Sequence, residues 1–302
     1  MSNNYFFESF DGEKIKCYEW VPDGEVKAIV QIIHGLQEHG LRYQKFAEFL
    51  SSNGYLVLAS DQRLHGDTAG KNIGKTNIKD VFPVMVKDQM LIADMLIKKY
   101  NKPLIIFGHS YGSFETQSFI QKYNKQAGVI ICGSAYMKRL DTLLGKIVAQ
   151  MTVKFRGGEK DAQQIEKIVI QGFDSPFKGK GSWISASETN LANYKADPLC
   201  GVPLCANFYS SMFKNVRKLY SQKAMSKISK NTPIFIVSGK DDPVGKMGES
   251  TEKLFNFYKK HGLNVQIKLY KNMRHEILNE DNNQIVFEDL LKFIESCLQN
   301  LH

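Results

Sequence analysis

The sequence predicts an α/β fold: a mostly parallel sheet with helices on both faces, carrying a helical insert. Three observations predict it. Short apolar runs of strand length alternate with helical periodicity over residues 1–135, and again over 227–302. The alternation lapses over 136–226, where helical periodicity and glycines continue without a convincing core strand. A chain of 302 residues with 43% hydrophobic residues is suited to one sizeable core plus an insert.

The elements follow in order. Residues near 4–9 and 13–20 read as a hairpin across Asp11-Gly12. Ala28 to Ile33 is the next strand. A helix near 41–53 ends before Gly54, and Tyr55 to Ala59 is a strand leading into Asp61. A long loop with Gly66, Gly70 and Gly74 precedes a helix near 83–100. Pro103 to Phe107 is a strand, and a periodic segment with Phe114, Phe119 and Ile120 follows it. Val129 to Ile131 is another strand. Beyond the insert, Pro233 to Val237 and the alternating run Val265 to Tyr270 complete the sheet. No internal repeat or low-complexity stretch interrupts this order.

Between the strand ending at Phe107 and its helix lies Gly108-His109-Ser110-Tyr111-Gly112, a G-x-S-x-G turn. Glycine is wanted on both flanks because the turn is too tight for side chains. The turn presents a serine hydroxyl at a helix N-terminus, which favours developing negative charge. A buried turn serine is the plain alternative, so partners decide. A serine needs a base, and the base needs an orienting acid. In α/β-hydrolases these follow in the order serine, acid, histidine.

The strand Pro233 to Val237 runs into Ser238-Gly239-Lys240-Asp241-Asp242-Pro243, and the strand Val265 to Tyr270 runs into Lys271-Asn272-Met273-Arg274-His275-Glu276. Each delivers its group at the carboxyl edge of the sheet, where open α/β sheets place their sites. Asp241 and Asp242 are adjacent. The turn after Gly239 and the fixed φ of Pro243 favour Asp242, leaving Asp241 as a solvated turn residue. Of seven histidines, His34, His39, His65 and His109 precede the acid. His261 reads as a helix cap and His302 is terminal, which leaves His275 as the base. The oxyanion needs two backbone donors. The Tyr111 amide follows the nucleophile, and the Leu36 amide follows the strand ending at Ile33, with Gly35 permitting close approach.

Ser110, Asp242 and His275 are thus the expected catalytic residues. Ser110 attacks an ester carbonyl, His275 moves the proton, and water releases the acyl-enzyme. No metal or organic cofactor is expected. The same machinery serves thioesterases, acyltransferases and peptidases, and a catalytically silent ligand-binding protein is the contrasting class. An epoxide hydrolase on this scaffold would want aspartate at position 110.

Composition narrows the partners. No run of eighteen apolar residues predicts a membrane span. Met1 to Tyr5 lacks the pattern of a signal peptide. Cys17, Cys132, Cys200, Cys205 and Cys297 lack metal-site spacing and read as thiols in a reducing cytoplasm. The insert holds fourteen Lys and Arg against seven Asp and Glu, which is +7 of the chain's formal +9. Met151, Phe155, Trp183, Tyr209, Met212 and Phe213 lie among these charges. That surface suits a lipid interface or an anionic substrate; inward packing of the aromatics is the alternative. No motif suggests nucleic-acid binding. The sequence does not predict an oligomeric state. Lying over the carboxyl edge, the insert would act as a cap that shapes an acyl pocket and excludes water.

These residues bring a family into view. His34-Gly35-Leu36-Gln37-Glu38-His39-Gly40-Leu41-Arg42-Tyr43 closely resembles the H-G-x-x-E-H-x-x-R-Y signature of monoacylglycerol lipase and lysophospholipase-like serine hydrolases. The turn at Ser110, the loop Gly239 to Pro243 and His275-Glu276 match that family's serine, acid and histidine loops, which supports Asp242. Trp183-Ile184-Ser185, Tyr194 and Asp197-Pro198-Leu199-Cys200-Gly201 resemble a bacterial branch. The likeness covers nearly the whole chain. It implies an ester substrate, and a bracing role for Glu38, His39 and Arg42 around the oxyanion loop, with ordinary polar packing as their alternative role. One departure stands out: the family commonly has D-x-x-G-H-G, whereas this chain has Leu64 in Asp61-Gln62-Arg63-Leu64-His65-Gly66.

Overall fold

Eight strands form a single sheet in the order β1-β2-β4-β3-β5-β6-β7-β8. They are β1 (Asn3–Glu8), β2 (Lys14–Trp20), β3 (Ala28–Ile33), β4 (Tyr55–Ser60), β5 (Leu104–His109), β6 (Gly128–Cys132), β7 (Ile234–Gly239) and β8 (Val265–Tyr270). The computed structural model describes residues 3–137, 139–170, 172–177 and 182–299. Met1, Ser2 and His302, considered above, and positions 138, 171 and 178–181 of the insert lie outside the described residues.

β1 pairs antiparallel with β2, and β2 antiparallel with β4. The other six strands are parallel. The central strands are buried on both faces, which is why they read as near-continuous apolar runs. On β3, Ile29 and Ile33 join one core layer, while Val30 and Ile32 join the other. Gln31, the polar break in that run, donates through Nε2 to the Gln89 carbonyl and side-chain oxygens, both at 2.9 Å, while its buried Oε1 has no partner among the described residues.

Helices α1 (Gln44–Ser52) and α11 (Gln284–Gln299) cover the second layer; α3 (Phe82–Tyr100), α4 (Tyr111–Phe119) and α10 (Glu249–Lys260) cover the first. The helix expected near 41–53 begins as a tight 3-10 turn, Gly40–Tyr43, because the Gly40 amide is drawn onto Asp61 Oδ1 at 2.8 Å. The glycine-bearing loop folds into α2 (Gly66–Ala69) and a second 3-10 turn, Gly70–Asn72. Leu64 has a left-handed backbone with φ +70°. Its side chain is only 4% exposed, packed into the first core layer.

No strand of the sheet lies between β6 and β7 among the described residues. That stretch holds α5 (Arg139–Arg156), α6 (Gln163–Ile170), α7 (Glu188–Ala196), α8 (Ala206–Val216) and α9 (Gln222–Met225), with one isolated bridge between Asp161 and Cys205. Gly145 lets α5 approach α8, since a Cβ there would meet the Phe213 ring at 2.6 Å. Among the described residues, no helix is long and apolar enough to cross a membrane.

Candidate active site

The parallel register aligns the ends of β5, β6, β7 and β8, pairing His109 with Cys132, Cys132 with Val237, and Gly239 with Tyr270. Ser110, Asp242 and His275 leave this edge in successive loops. Ser110 sits at φ 52°, ψ −119°, a strained conformation for a residue with a side chain. Its neighbours enforce the strain. A Cβ on Gly108 would meet Thr116 Oγ1 at 2.1 Å, and one on Gly112 would meet the Ile33 carbonyl at 2.2 Å. The Ser110 amide is held by the Cys132 carbonyl at 2.9 Å.

His275 Nδ1 bonds Asp242 Oδ2 at 2.9 Å. The same oxygen accepts from Ser238 Oγ at 3.0 Å, and Oδ1 accepts from the Val244 amide at 2.9 Å. Burial alone would raise Asp242, but the charge on His275 and these hydrogen bonds outweigh it and lower its pKa. Burial likewise disfavours a charged His275, yet the Asp242 carboxylate, with Glu276 and Glu38 behind it, lifts its pKa above the ordinary histidine value. With Nδ1–H given to Asp242, Nε2 is an acceptor. It is buried and has no hydrogen-bond partner among the described residues. Asp241 is half-buried at the turn surface, and only Asp242 reaches the imidazole.

Ser110 and His275 line one cavity of about 340 Å³. Its wall is largely apolar and includes Phe114, Met137, Phe173, Trp183, Met212 and Phe213. The aromatics and methionines expected in the insert therefore divide. Trp183, Tyr209, Met212 and Phe213 line the cavity, whereas Met151 and Phe155 face solvent, 54% and 73% exposed.

Leu36 and Tyr111 both line this cavity, and neither amide donates to a protein acceptor among the described residues. The loop carrying Leu36 is fixed from two sides. His34 accepts from the Gln62 amide at Nε2 (2.9 Å), so Nδ1–H donates to the Gly35 carbonyl (2.7 Å). Burial keeps this ring neutral by pushing its pKa well down. Glu38 Oε1 accepts from the Gly35 amide at 2.5 Å and from Tyr43 Oη at 2.8 Å, and Oε2 accepts from Arg42 at 3.0 Å.

Arg42 also forks onto Glu276, at 2.5 and 2.7 Å, and donates to Asn190 of α7 at 3.0 Å. Burial would raise Glu276, but the Arg42 charge and its hydrogen bonds hold it down to about 2. His39 turns outward from the loop and bonds Asp197 at 2.7 Å. Glu38 thus holds the Gly35 amide and Arg42 holds Glu38, while His39 ties the chain after them to the insert.

Sequence reading missed the residues that join the insert to the histidine loop. Glu280 accepts from Ser185 Oγ, from the Ala186 and Ser187 amides, and from the Arg274 amide, all at 2.9–3.1 Å. Arg274 donates to the Ser182 and Ser185 carbonyls, and the Glu276 amide to the Ile184 carbonyl. A glutamate in a polar loop carries no local signal of such long-range bonds. The Trp183-Ile184-Ser185 motif was the only hint.

A sheet of this order, with a strained serine turn at its carboxyl edge, places the protein in the α/β-hydrolase class. The family profile Hydrolase_4, described as serine aminopeptidase S33, matches residues 24–282, and the chain belongs to that family. It is 26% identical over 307 residues to a monoglyceride lipase homolog of Monkeypox virus, covering 99% of each chain. It is 22% identical to the monoacylglycerol lipase of Mycolicibacterium smegmatis, covering 98% of each. Among solved structures, a thermostable carboxyl esterase from Bacillus coagulans superposes with TM-score 0.90 at 24% identity, over 98% of this chain and 99% of that one. A monoglyceride lipase from Saccharomyces cerevisiae superposes at 0.78 and 24% identity, over 98% of this chain and 95% of that one. At those identities the structural likeness speaks for the fold.

Proposed function

We propose that this chain is an ester-cleaving serine hydrolase acting on long-chain monoacyl esters, of the monoacylglycerol or lysophospholipid type. Ser110 is the nucleophile, His275 the base, Asp242 its orienting acid, and residues 136–226 are the cap. The observation that carries this is a buried imidazole bonded to Asp242 through Nδ1, its Nε2 unpartnered, sharing an apolar cavity with a strained serine. His275 Nε2 takes the Ser110 proton as Oγ bonds the carbonyl carbon. The oxyanion accepts from the Leu36 and Tyr111 amides. His275 then gives that proton to the leaving alcohol oxygen as the ester bond breaks. Water repeats the sequence on the acyl-enzyme, releasing the acid and Ser110. The names of the relatives support the substrate class, and the apolar cavity supports a long acyl chain.

The family description raises aminopeptidase activity as a second reading. A free α-ammonium group needs an unsatisfied carboxylate. The two glutamates lining the cavity, Glu38 and Glu276, are both committed to Arg42, which favours the ester. On α5, exposed Ile147, Val148, Met151 and Phe155 lie among Lys146, Lys154 and Arg156, which supports peripheral contact with an anionic lipid surface. The free thiols support a cytoplasmic location.

The test is hydrolysis of p-nitrophenyl esters from two to sixteen carbons, with an aminoacyl p-nitroanilide alongside, for wild type and Ser110→Ala. Turnover that peaks at eight carbons or longer and vanishes in the variant is expected. A nitroanilide rate above the ester rates would overturn the substrate assignment. Asp242→Asn should lower kcat about 10⁴-fold. The wild-type acid limb of kcat/KM should lie above the ordinary histidine pKa, because His275 must be neutral to act and its pKa is raised. Removing the Asp242 charge takes away what raises it, so the limb should move to lower pH.

A further inference from the structure

The Trp183-Ile184-Ser185 motif is not used by the mechanism above, yet it meets the mechanism at one point. The Trp183 indole lies against the His275 imidazole, ring centroids 5.0 Å apart and planes at 45°. On another side the neutral His109 ring stands 4.8 Å away. His275 therefore touches one ring from the nucleophile turn and one from the cap.

Trp183 is itself pinned. Its amide donates to Asp174 Oδ1 at 2.8 Å, and its ring packs on Phe173 at 5.1 Å. Its neighbours bond the neighbours of His275. Arg274 donates to the Ser182 carbonyl at 2.6 Å and the Ser185 carbonyl at 3.1 Å. The Glu276 amide donates to the Ile184 carbonyl at 2.9 Å. Glu280 gathers the Arg274 amide together with Ser185 and the amides of Ala186 and Ser187. The two segments thus clamp each other on both sides of the ring pair, over-determining the contact.

Two consequences follow from elementary chemistry. A ring held by one hydrogen bond at Nδ1 can still rock about it, and a packed indole removes that freedom. The electron-rich face of tryptophan also favours a nearby cation, here the imidazolium that forms as Ser110 loses its proton. We infer that Trp183 is a positioning residue for His275, so that the docked cap completes the catalytic base as well as roofing the pocket. This rests on the reading of Ser110 and His275 given above.

The charged and titratable groups around His275 are Asp242 at 2.9 Å, Glu276 and Glu38 behind it, the His109 ring, and Lys246, which lines the same cavity. None of these changes in a Trp183 variant. The experiment compares wild type, Trp183→Leu and Trp183→Phe on p-nitrophenyl butyrate, an acyl chain too short to depend on the far wall. Circular dichroism and thermal melts establish that each variant is folded.

Trp183→Leu should lower kcat about tenfold with KM within twofold, and should move the acid limb of kcat/KM to lower pH, since the aromatic support for the charged ring is gone. Trp183→Phe should restore most of the rate and the limb. Wild-type kcat and an unmoved limb in folded Trp183→Leu, with only chain-length preference changed, would overturn the inference and leave a simple pocket wall. Should Trp183→Leu fail to fold, the larger unbranched Trp183→Met takes its place, and wild-type kcat with an unmoved limb in that variant would overturn it equally. Failure of wild type to hydrolyse any ester would instead sink the functional reading itself.

Discussion

Residues 182–201 of the insert and helix α5 are attached in different ways. Residues 182–201 are wired into the core by buried polar contacts: Glu280 under Ser185 to Ser187, Arg42 between Glu38, Glu276 and Asn190, and His39 on Asp197. Helix α5 packs on α8 by apolar contact through Ala149 and Phe213 and presents Ile147, Val148, Met151 and Phe155 to solvent, while α8 in turn is bonded to the core through Ser211, Lys214 and Asn215 on Asp80. Polar wiring is directional and fixes a side chain to a fraction of an ångström. Apolar packing fixes an element in place but leaves its outer face available. The wired segment meets the ring of His275, the proposed base, and the outer face of α5 is open to solvent.

The sharpest way to break this contrast is Arg42→Met. It leaves two buried carboxylates without their cation and should cost about 3–5 kcal/mol in denaturant unfolding. An effect below 1 kcal/mol would mean the wiring is decorative. A smaller, graded effect is expected from acid. Glu276 has a folded pKa of about 2, below its unfolded value, so its contribution is fully present above the usual glutamate range and is lost as pH falls through it toward 2. Burial shifts Glu38 the other way, raising its pKa. Proteolytic cutting within 182–201 should therefore rise on acidification before cutting in the sheet does. Simultaneous cutting would make the wired segment no more pH-sensitive than the rest.

The least effect belongs to the outer face of α5. Met151→Ser with Phe155→Ser should change stability by no more than about 0.5 kcal/mol, and should leave hydrolysis of a soluble butyrate ester unchanged. The rate on a long-chain ester carried in anionic vesicles should fall severalfold. Loss on the soluble ester as well would erase the distinction between the two.

Much of this was legible in the sequence. Strand runs, turn glycines and the order serine, acid, histidine are local signals, and they placed the α/β sheet and the positions of Ser110 and His275 on its edge. The acid was narrower, since adjacent carboxylates differ only in where a turn points them. What stayed hidden was long-range. Glu280 lies 93–95 residues from its partners in the cap, and Asn190 lies 148 residues from Arg42. Nothing in the residues around either one announces a bond at that separation. The split of the insert's aromatics and methionines into lining and outward groups was hidden for a related reason. Helical periodicity gives a face but does not say which neighbour, or none, will cover it.

Leu64 carries a different lesson. Its backbone adopts a conformation that side chains resist at about 1–2 kcal/mol, while its buried side chain returns the roughly 2–5 kcal/mol that deleting a core leucine typically costs. Position 64 is therefore a place where backbone strain and core burial oppose each other, and burial outweighs the strain. Seen that way, Leu64→Gly would relieve the backbone and empty the core at the same point, and the sign of its effect on stability reads which of the two is the larger.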